Sequence, residues 1–251
     1  MRLYIIRHGQ STNNALADQR DRVSDPPLTE LGKLQAETLA RHLVAGTEPE
    51  PPDNGESSHH HGGYGITRLY CSPMWRALQT AEPIGQALDL TPQVWADLHE
   101  RGGIFLDHGD GRGPIGYPGK TREEIQSAFP HYSLGEEILD HGWWNRAYED
   151  WPECHGRAAR VAGALHHWAE GSDERIVILS HVDFIDALLK SLFKQLSDDR
   201  SLYYYLYNAA ISRIDFQSNG CLDIRYLNQV GHMPPTLISG NPRRPFACPT
   251  P

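Results

Sequence analysis

The run "RIVILS" at 175–180 places apolar residues, three of them β-branched, on successive rather than alternate positions. Neighbouring residues of a strand face opposite sides, so this segment must hide both faces; it belongs inside a mostly parallel sheet covered by helices above and below. "LYII" at 3–6 is a second run of the same kind. Both are followed by helical patterns. After "LYII", Thr29 caps a segment with Leu31, Leu34, Ala36, Leu39 and Leu43 at helical spacing that stops near Gly46. After "RIVILS", "VDFIDALLKSLF" reads as a helix.

The alternation continues between them. "ITRLYCSP" reads as a strand, "MWRALQTAEPIGQALDL" as a helix and "PQVWADL" as a third short strand. Helix is expected in "KTREEIQSAF", around 136–150 and over 153–170, and "ISRIDFQSNGCLDIRYLN" reads as a closing antiparallel hairpin around Ser218-Asn219-Gly220. The expected fold is therefore α/β: a mostly parallel central sheet with helices on both faces and an antiparallel edge. A single domain over 1–251 accommodates it, with a surface loop at 47–65, a Gly/Pro-rich excursion at 101–150 that shapes a substrate pocket, and an irregular Pro-rich tail at 231–251.

Charge and cysteine usage narrow the function. With 23 Lys+Arg against 32 Asp+Glu the net charge is −9, which disfavours nucleic acid and anionic membrane surfaces as partners but allows a local cationic pocket. Cys71, Cys154, Cys221 and Cys248 are far apart with no CxxC pair, so neither a zinc cluster nor a dense disulfide framework is indicated. The apolar run at 3–6 is too short for a signal peptide and no stretch is long enough to span a bilayer. A soluble cytoplasmic protein, monomer or homodimer, is expected.

Ligands of parallel sheets bind beyond the carboxyl ends of the strands. Here "LYIIRH" delivers Arg7 and His8 to that edge, "IVILSH" delivers His181, and Arg76 follows "RLYCSP" in the first turn of a helix. Converging cations need a negative partner with several equivalent oxygens, and phosphate matches guanidinium forks, histidine donors and the N–H groups of the helices that follow the two histidines. A histidine among arginines keeps one ring nitrogen unprotonated, free to attack phosphorus and form a phosphohistidine without a metal.

These segments resemble the histidine phosphatase superfamily, also called the phosphoglycerate mutase-like proteins. "RHGQSTNN" is similar to its RHG signature, "DPPLTELGKLQAETLARHL" to the helix that follows, "YCSPMWRALQTAEPI" to its Ser-Pro-x-x-Arg-Ala-x-x-Thr-Ala segment and "ILSHVDFIDALL" to its second-histidine segment, in consistent order over roughly 1–230. The resemblance implies a phosphoglycerate mutase-like fold with His8 as the nucleophile and Arg7, Asn14, Arg76 and His181 holding the phosphoryl group, with Ser11 adding a hydroxyl. It also implies a carboxylic general acid after the third strand, where Glu100 in "ADLHERGG" matches; Asp107, Glu123 and Asp183 are its rivals.

The sequence departs from the family pattern in three places. No Gly-x-Trp-Glu-Gly continuation follows Glu100, Val182 stands where a glycine usually follows the second histidine, and Gln10 and Asn13 replace the Glu and Trp typical of true mutases. The last difference favours phosphatase over mutase. Two other patterns carry no chemistry: Gly119-Lys120-Thr121 imitates a P-loop end, but Pro114 replaces its earlier glycine, and His166-His167 suit a helix C-terminus. His59-His60-His61 read as part of the surface loop rather than a metal site. Trp143, Trp144, Tyr148 and Trp151 fit core packing or a substrate lid.

The expected activity is a metal-independent, cofactor-free phosphomonoester hydrolase acting through phosphohistidine on a small phosphorylated metabolite. The alternatives are a phosphoglycerate-type mutase and a non-catalytic phospho-ligand binding or scaffold protein.

Overall fold

A computed structural model describes residues 1–48, 63–195 and 202–240. Seven strands form one sheet in the order β6-β3-β2-β7-β1-β8-β9. In chain order these are β1 (Arg2–Arg7), β2 (Arg68–Cys71), β3 (Gln93–Val94), β6 (Ser133–Leu134), β7 (Arg175–Ser180), β8 (Ile211–Phe216) and β9 (Leu222–Gln229); β4 (Phe105–Asp107) and β5 (Pro114–Gly116) make a separate antiparallel ribbon. From β6 to β1 all pairings are parallel, while β8 runs antiparallel to both β1 and β9. This is the α/β architecture that the continuous apolar runs require.

Both faces of the two central strands are buried, in two cores. Tyr4, Ile6, Val177 and Leu179 pack with the helices α2 (Glu30–Ala45) and α3 (Trp75–Leu88). Leu3, Ile5, Ile176 and Ile178 pack with α5 (Trp151–Ala169) and α6 (Val182–Leu192). Two shorter helices, α1 (Thr12–Ala15) and α4 (Arg122–Ala128), complete the set. Thr29 caps α2 by accepting the Gly32 N–H, and Thr121 and Glu124 form a capping box on α4.

The helix expected around 136–150 does not form. Gly142 takes a φ of +102°, its Cα packed against the Pro118 carbonyl, and Trp143 and Trp144 bury their rings beside His99. Burial of two adjacent indoles in an irregular segment overrides its local helix pattern. The expected third strand is also shorter, since Ala96–Leu98 is already a 3₁₀ turn. Within 101–150, residues 133–134 return to the edge of the main sheet as β6.

Most of the 47–65 segment, including His59-His60-His61, lies outside the described residues, as does 241–251. The described part of the tail packs back on the molecule. Pro235–Leu237 is a 3₁₀ turn, and Gln35 Nε2 donates to Leu237 O at 2.6 Å and to Ser239 Oγ at 2.8 Å. Among the described residues no helix is long and apolar enough to cross a membrane, Cys71, Cys154 and Cys221 are free thiols, and no group of three or more His, Cys, Asp or Glu is placed to hold a metal ion.

Candidate active site

The sheet register brings the two histidines together. Arg7 pairs with Ser180 across β1 and β7, so His8 and His181 follow side by side, and their ring centroids are 4.9 Å apart. Cys71 pairs with Leu179, which sets Ser72 and the start of α3 at the same edge. Two glycines let the chain turn there: a Cβ on Gly9 would stand 2.5 Å from Gly32 O, and one on Gly32 would stand 2.1 Å from Gln10 O. Thr80 ties the turn to α3 by accepting the Gly9 N–H at 3.1 Å and donating to Arg76 O at 2.7 Å.

His8 is held in one tautomer. Its Nδ1 lies 2.6 Å from Gly9 O, a carbonyl that only accepts, so Nδ1 carries the proton. Nε2 is then a lone pair, and it accepts from Arg76 Nε at 3.2 Å. Burial first, then the charges of Arg76 and Arg7, lower the His8 pKa well below its ordinary value, so the ring is neutral at pH 7. Burial outranks the arginines, which the sequence alone made the cause. His181 is lowered in the same way, by burial and then by Arg76.

A cleft of about 230 Å³ opens at this edge, and Arg7, His8, Ser11, Asn14, Arg76 and Glu100 all border it. His181 does not; it sits behind His8 with Nε2 on Ser72 Oγ at 2.8 Å. Arg7 donates through Nη1 to Leu206 O at 2.6 Å, while its buried Nε has no protein partner. Ser11 is spent on structure, because its hydroxyl and N–H both contact Asn14 in a capping box on α1. Asn14 itself is exposed at the rim.

Several backbone N–H groups near this edge are engaged within the protein: those of Gly9, Gln10 and Ser11 go to Thr80, Gln35 and Asn14, and the Phe184 N–H in the first turn of α6 goes to Glu100 Oε1 at 3.0 Å.

Of the four candidate acids, Asp107 and Glu123 are exposed and border no part of the cleft, whereas Glu100 and Asp183 both line it. Burial, and then Asp183, raise the Glu100 pKa against the opposing pull of Arg76. A carboxyl shifted in that direction holds its proton to higher pH than an ordinary one, which is the direction a proton donor needs. Asp183 is engaged by Arg101 Nη2 at 3.1 Å and by Tyr203 Oη at 2.5 Å. Arg101 also contacts the Tyr148 hydroxyl and lies over the Trp151 ring at 4.5 Å, so of the four aromatics at 143–151 these two pack on a residue of the cleft and the two other indoles enter the core.

Sequence reasoning missed several residues of this neighbourhood. Asp25 accepts the Trp75 N–H at 3.0 Å and lies 3.7 Å from Arg76 Nη1, and burial pushes its pKa up to about 6. Asn208 is fully buried and donates to His8 O at 3.0 Å. Asn13 grips Val23 through both backbone groups at 2.8 and 3.1 Å, which places Arg22 and Val23 on the cleft rim. The "DPPLTELG" stretch signalled Asp25 only as a neighbour of the α2 cap; nothing local marked Asn208.

The family model described as histidine phosphatase superfamily, branch 1, matches residues 3–50 and 56–229. A PE-PGRS family protein of Mycobacterium tuberculosis is 34% identical over 103 residues, 41% of this chain and 15% of that protein. A Schizosaccharomyces pombe protein named "Probable phosphatase" is 32% identical over 98 residues, 39% of this chain and 38% of that protein. The matches thus span well under half the length of these curated relatives.

Among solved structures, Bacillus stearothermophilus YhfR superposes with a TM-score of 0.58 at 21% identity, covering 92% of this chain and 98% of that one. Entamoeba histolytica phosphoserine phosphatase in complex with 3-phosphoglyceric acid gives 0.56 at 18% identity, covering 92% and 98%. Mycobacterial glucosyl-3-phosphoglycerate phosphatase complexed with VO3 gives 0.57 at 21%, covering 91% and 99%. These likenesses establish a shared fold.

Proposed function

The chain belongs to the histidine phosphatase superfamily, branch 1, and on that premise we propose that it is a phosphomonoester hydrolase acting on a small phosphorylated metabolite through a phosphohistidine at His8. The observation that carries this reading is the His8 tautomer: Nδ1 is committed to Gly9 O, so the unprotonated nitrogen is Nε2 at the cleft, where only the Arg76 Nε–H holds its lone pair until that guanidinium turns to the phosphoryl group.

In the first step Nε2 attacks phosphorus, the bond to the leaving oxygen breaks, and Glu100 gives that oxygen its proton. Arg7 and Arg76 carry the negative charge of the transferring phosphoryl group, with Asn14 at the rim. His181 joins them by exchanging its Ser72 contact for a phosphoryl oxygen. In the second step the Glu100 carboxylate takes a proton from water, whose oxygen attacks the phosphohistidine; phosphate leaves and His8 returns to its starting state. Two similar structures named for an activity on a phosphorylated small molecule, a phosphoserine phosphatase and a glucosyl-3-phosphoglycerate phosphatase, support that substrate class.

Brief incubation with a phosphate monoester followed by quenching is expected to yield a phosphoprotein that is labile to acid and stable to base, and absent in His8→Ala. Labelling that persists in His8→Ala removes His8 from the mechanism. Incubation with 3-phosphoglycerate and a bisphosphorylated primer is expected to release free phosphate; isomer formed without it would make the protein a mutase.

A further inference from the structure

Three successive carbonyls ahead of Glu100 are each taken by a side chain from a distant element. Arg157 Nη1, on α5, donates to Asp97 O at 2.6 Å and to His99 O at 2.9 Å. Ser180 Oγ, at the end of β7, donates to Leu98 O at 2.6 Å. Beyond the acid, the Glu149 N–H reaches Gly102 O at 3.4 Å. The loop that carries Glu100 is thus gripped on both sides of it.

Arg157 is itself fixed. Its Nε and Nη2 meet the two carboxylate oxygens of Glu149 at 2.8 and 2.5 Å, and the two side chains are 1% and 3% exposed. Its guanidinium also lies 4.3 Å from the centroid of the Phe184 ring, and the Phe184 N–H donates to Glu100 Oε1 at 3.0 Å, alongside the Arg101 N–H at 2.9 Å. Neither Arg157 nor Glu149 borders the cleft.

A buried ion pair is a poor way to gain stability, because apolar residues of equal volume fill such space at no desolvation cost. What apolar residues lack is the fan of planar donors that can hold two backbone carbonyls and a carboxylate at once. We infer that Arg157, locked by Glu149 and assisted by Ser180, is a positioning device for Glu100, setting the backbone on which the acid reaches the leaving oxygen. The inference rests on Glu100 being the acid of the proposed hydrolysis. A displacement of about 1 Å in such a group costs on the order of 10²-fold in rate.

Leaving groups separate positioning from general structural damage. A nitrophenolate departs without a proton, whereas the alkoxide of glycerol 2-phosphate needs one. Arg157→Lys, Glu149→Gln and Ser180→Ala are each expected to lower kcat/KM, which reports the phosphoryl-transfer step and not the later hydrolysis of phosphohistidine, by about tenfold or more on glycerol 2-phosphate and by less than about threefold on 4-nitrophenyl phosphate. Equal losses on the two substrates would make these residues merely structural and overturn the inference. Glu100→Gln is the reference: if it too lowers kcat/KM for both substrates alike, the acid assignment fails and the inference with it, whereas a selective Glu100→Gln beside non-selective clamp variants overturns the clamp alone. Ser180→Ala removes only a hydroxyl, so it reports even if the ion-pair variants do not fold.

Discussion

Arg76 Nε meets His8 Nε2 at 3.2 Å, and behind that contact Gly9 O holds the opposite ring nitrogen at 2.6 Å. The guanidinium thus marks the lone pair of the proposed nucleophile while standing where a phosphoryl oxygen would need a cation. Arg76→Lys keeps the charge but loses the planar fork, so kcat is expected to fall by about 10²-fold or more. Steady-state kinetics check this, and nitrogen NMR of the variant should show His8 still protonated at Nδ1, since Gly9 is untouched.

Asn208 offers a test of the scaffold beneath the nucleophile. Its Nδ2 donates to His8 O at 3.0 Å, and Ser239 Oγ stands 3.2 Å from its Oδ1. Asn208→Ala leaves a buried carbonyl without its side-chain donor and is expected to cost about 1–3 kcal/mol of stability, read by denaturant unfolding. A loss below a few tenths of that range would mean that the tail, not Asn208, supports the turn.

The contrast between His8 and Asn208 shows what was legible in the sequence. His8, Arg7 and His181 end apolar runs, and strand direction alone sends such residues to one edge; Arg76 follows from its place in the first turn of α3. Glu100 needed the family resemblance, because its position depends on a loop with no regular pattern. Asn208, Asp25 and the Arg157–Glu149 pair act through partners 8 to 200 residues away, and no local period encodes those contacts. The same limit explains the absent helix at 136–150, where Trp143 and Trp144 follow tertiary burial around His99.

Asp25 couples the site to stability through pH. Its folded pKa of about 6 lies above the ordinary 3.8, raised by burial. The folded state therefore holds its proton more tightly than the unfolded chain. That contribution is complete below the unfolded value and is lost as pH rises through about 6, a difference of roughly 3 kcal/mol at most. Asp25→Asn keeps an acceptor for the Trp75 N–H and removes the titration. Between pH 4 and pH 7 the wild type is expected to lose stability relative to Asp25→Asn; parallel stability curves for the two proteins would contradict the assignment.

In the proposed hydrolysis His8 and Glu100 set the two limbs of the pH profile of kcat/KM, and their shifts run in opposite directions. His8 acts as a neutral ring, and its pKa is lowered by burial, Arg76 and Arg7, so the limb expected from an ordinary histidine near 6.5 is displaced toward acid. Glu100 acts first as a protonated acid, and its pKa is raised by burial and Asp183, so the limb on which its proton is lost moves toward neutrality. Activity is then highest between the lowered histidine and the raised carboxyl, and falls as pH increases through the latter. Glu100→Gln has no carboxyl to ionise and is expected to flatten that alkaline limb at a lower overall rate. Moving to a nitrophenyl substrate should flatten it in the wild type as well, because a leaving group that needs no proton is indifferent to whether Glu100 carries one. Asp183 gives the control: it carries the negative charge that helps raise Glu100, so Asp183→Asn should shift the limb toward acid without removing it. A limb that vanishes in Asp183→Asn and survives in Glu100→Gln would transfer the acid role from Glu100 to its neighbour.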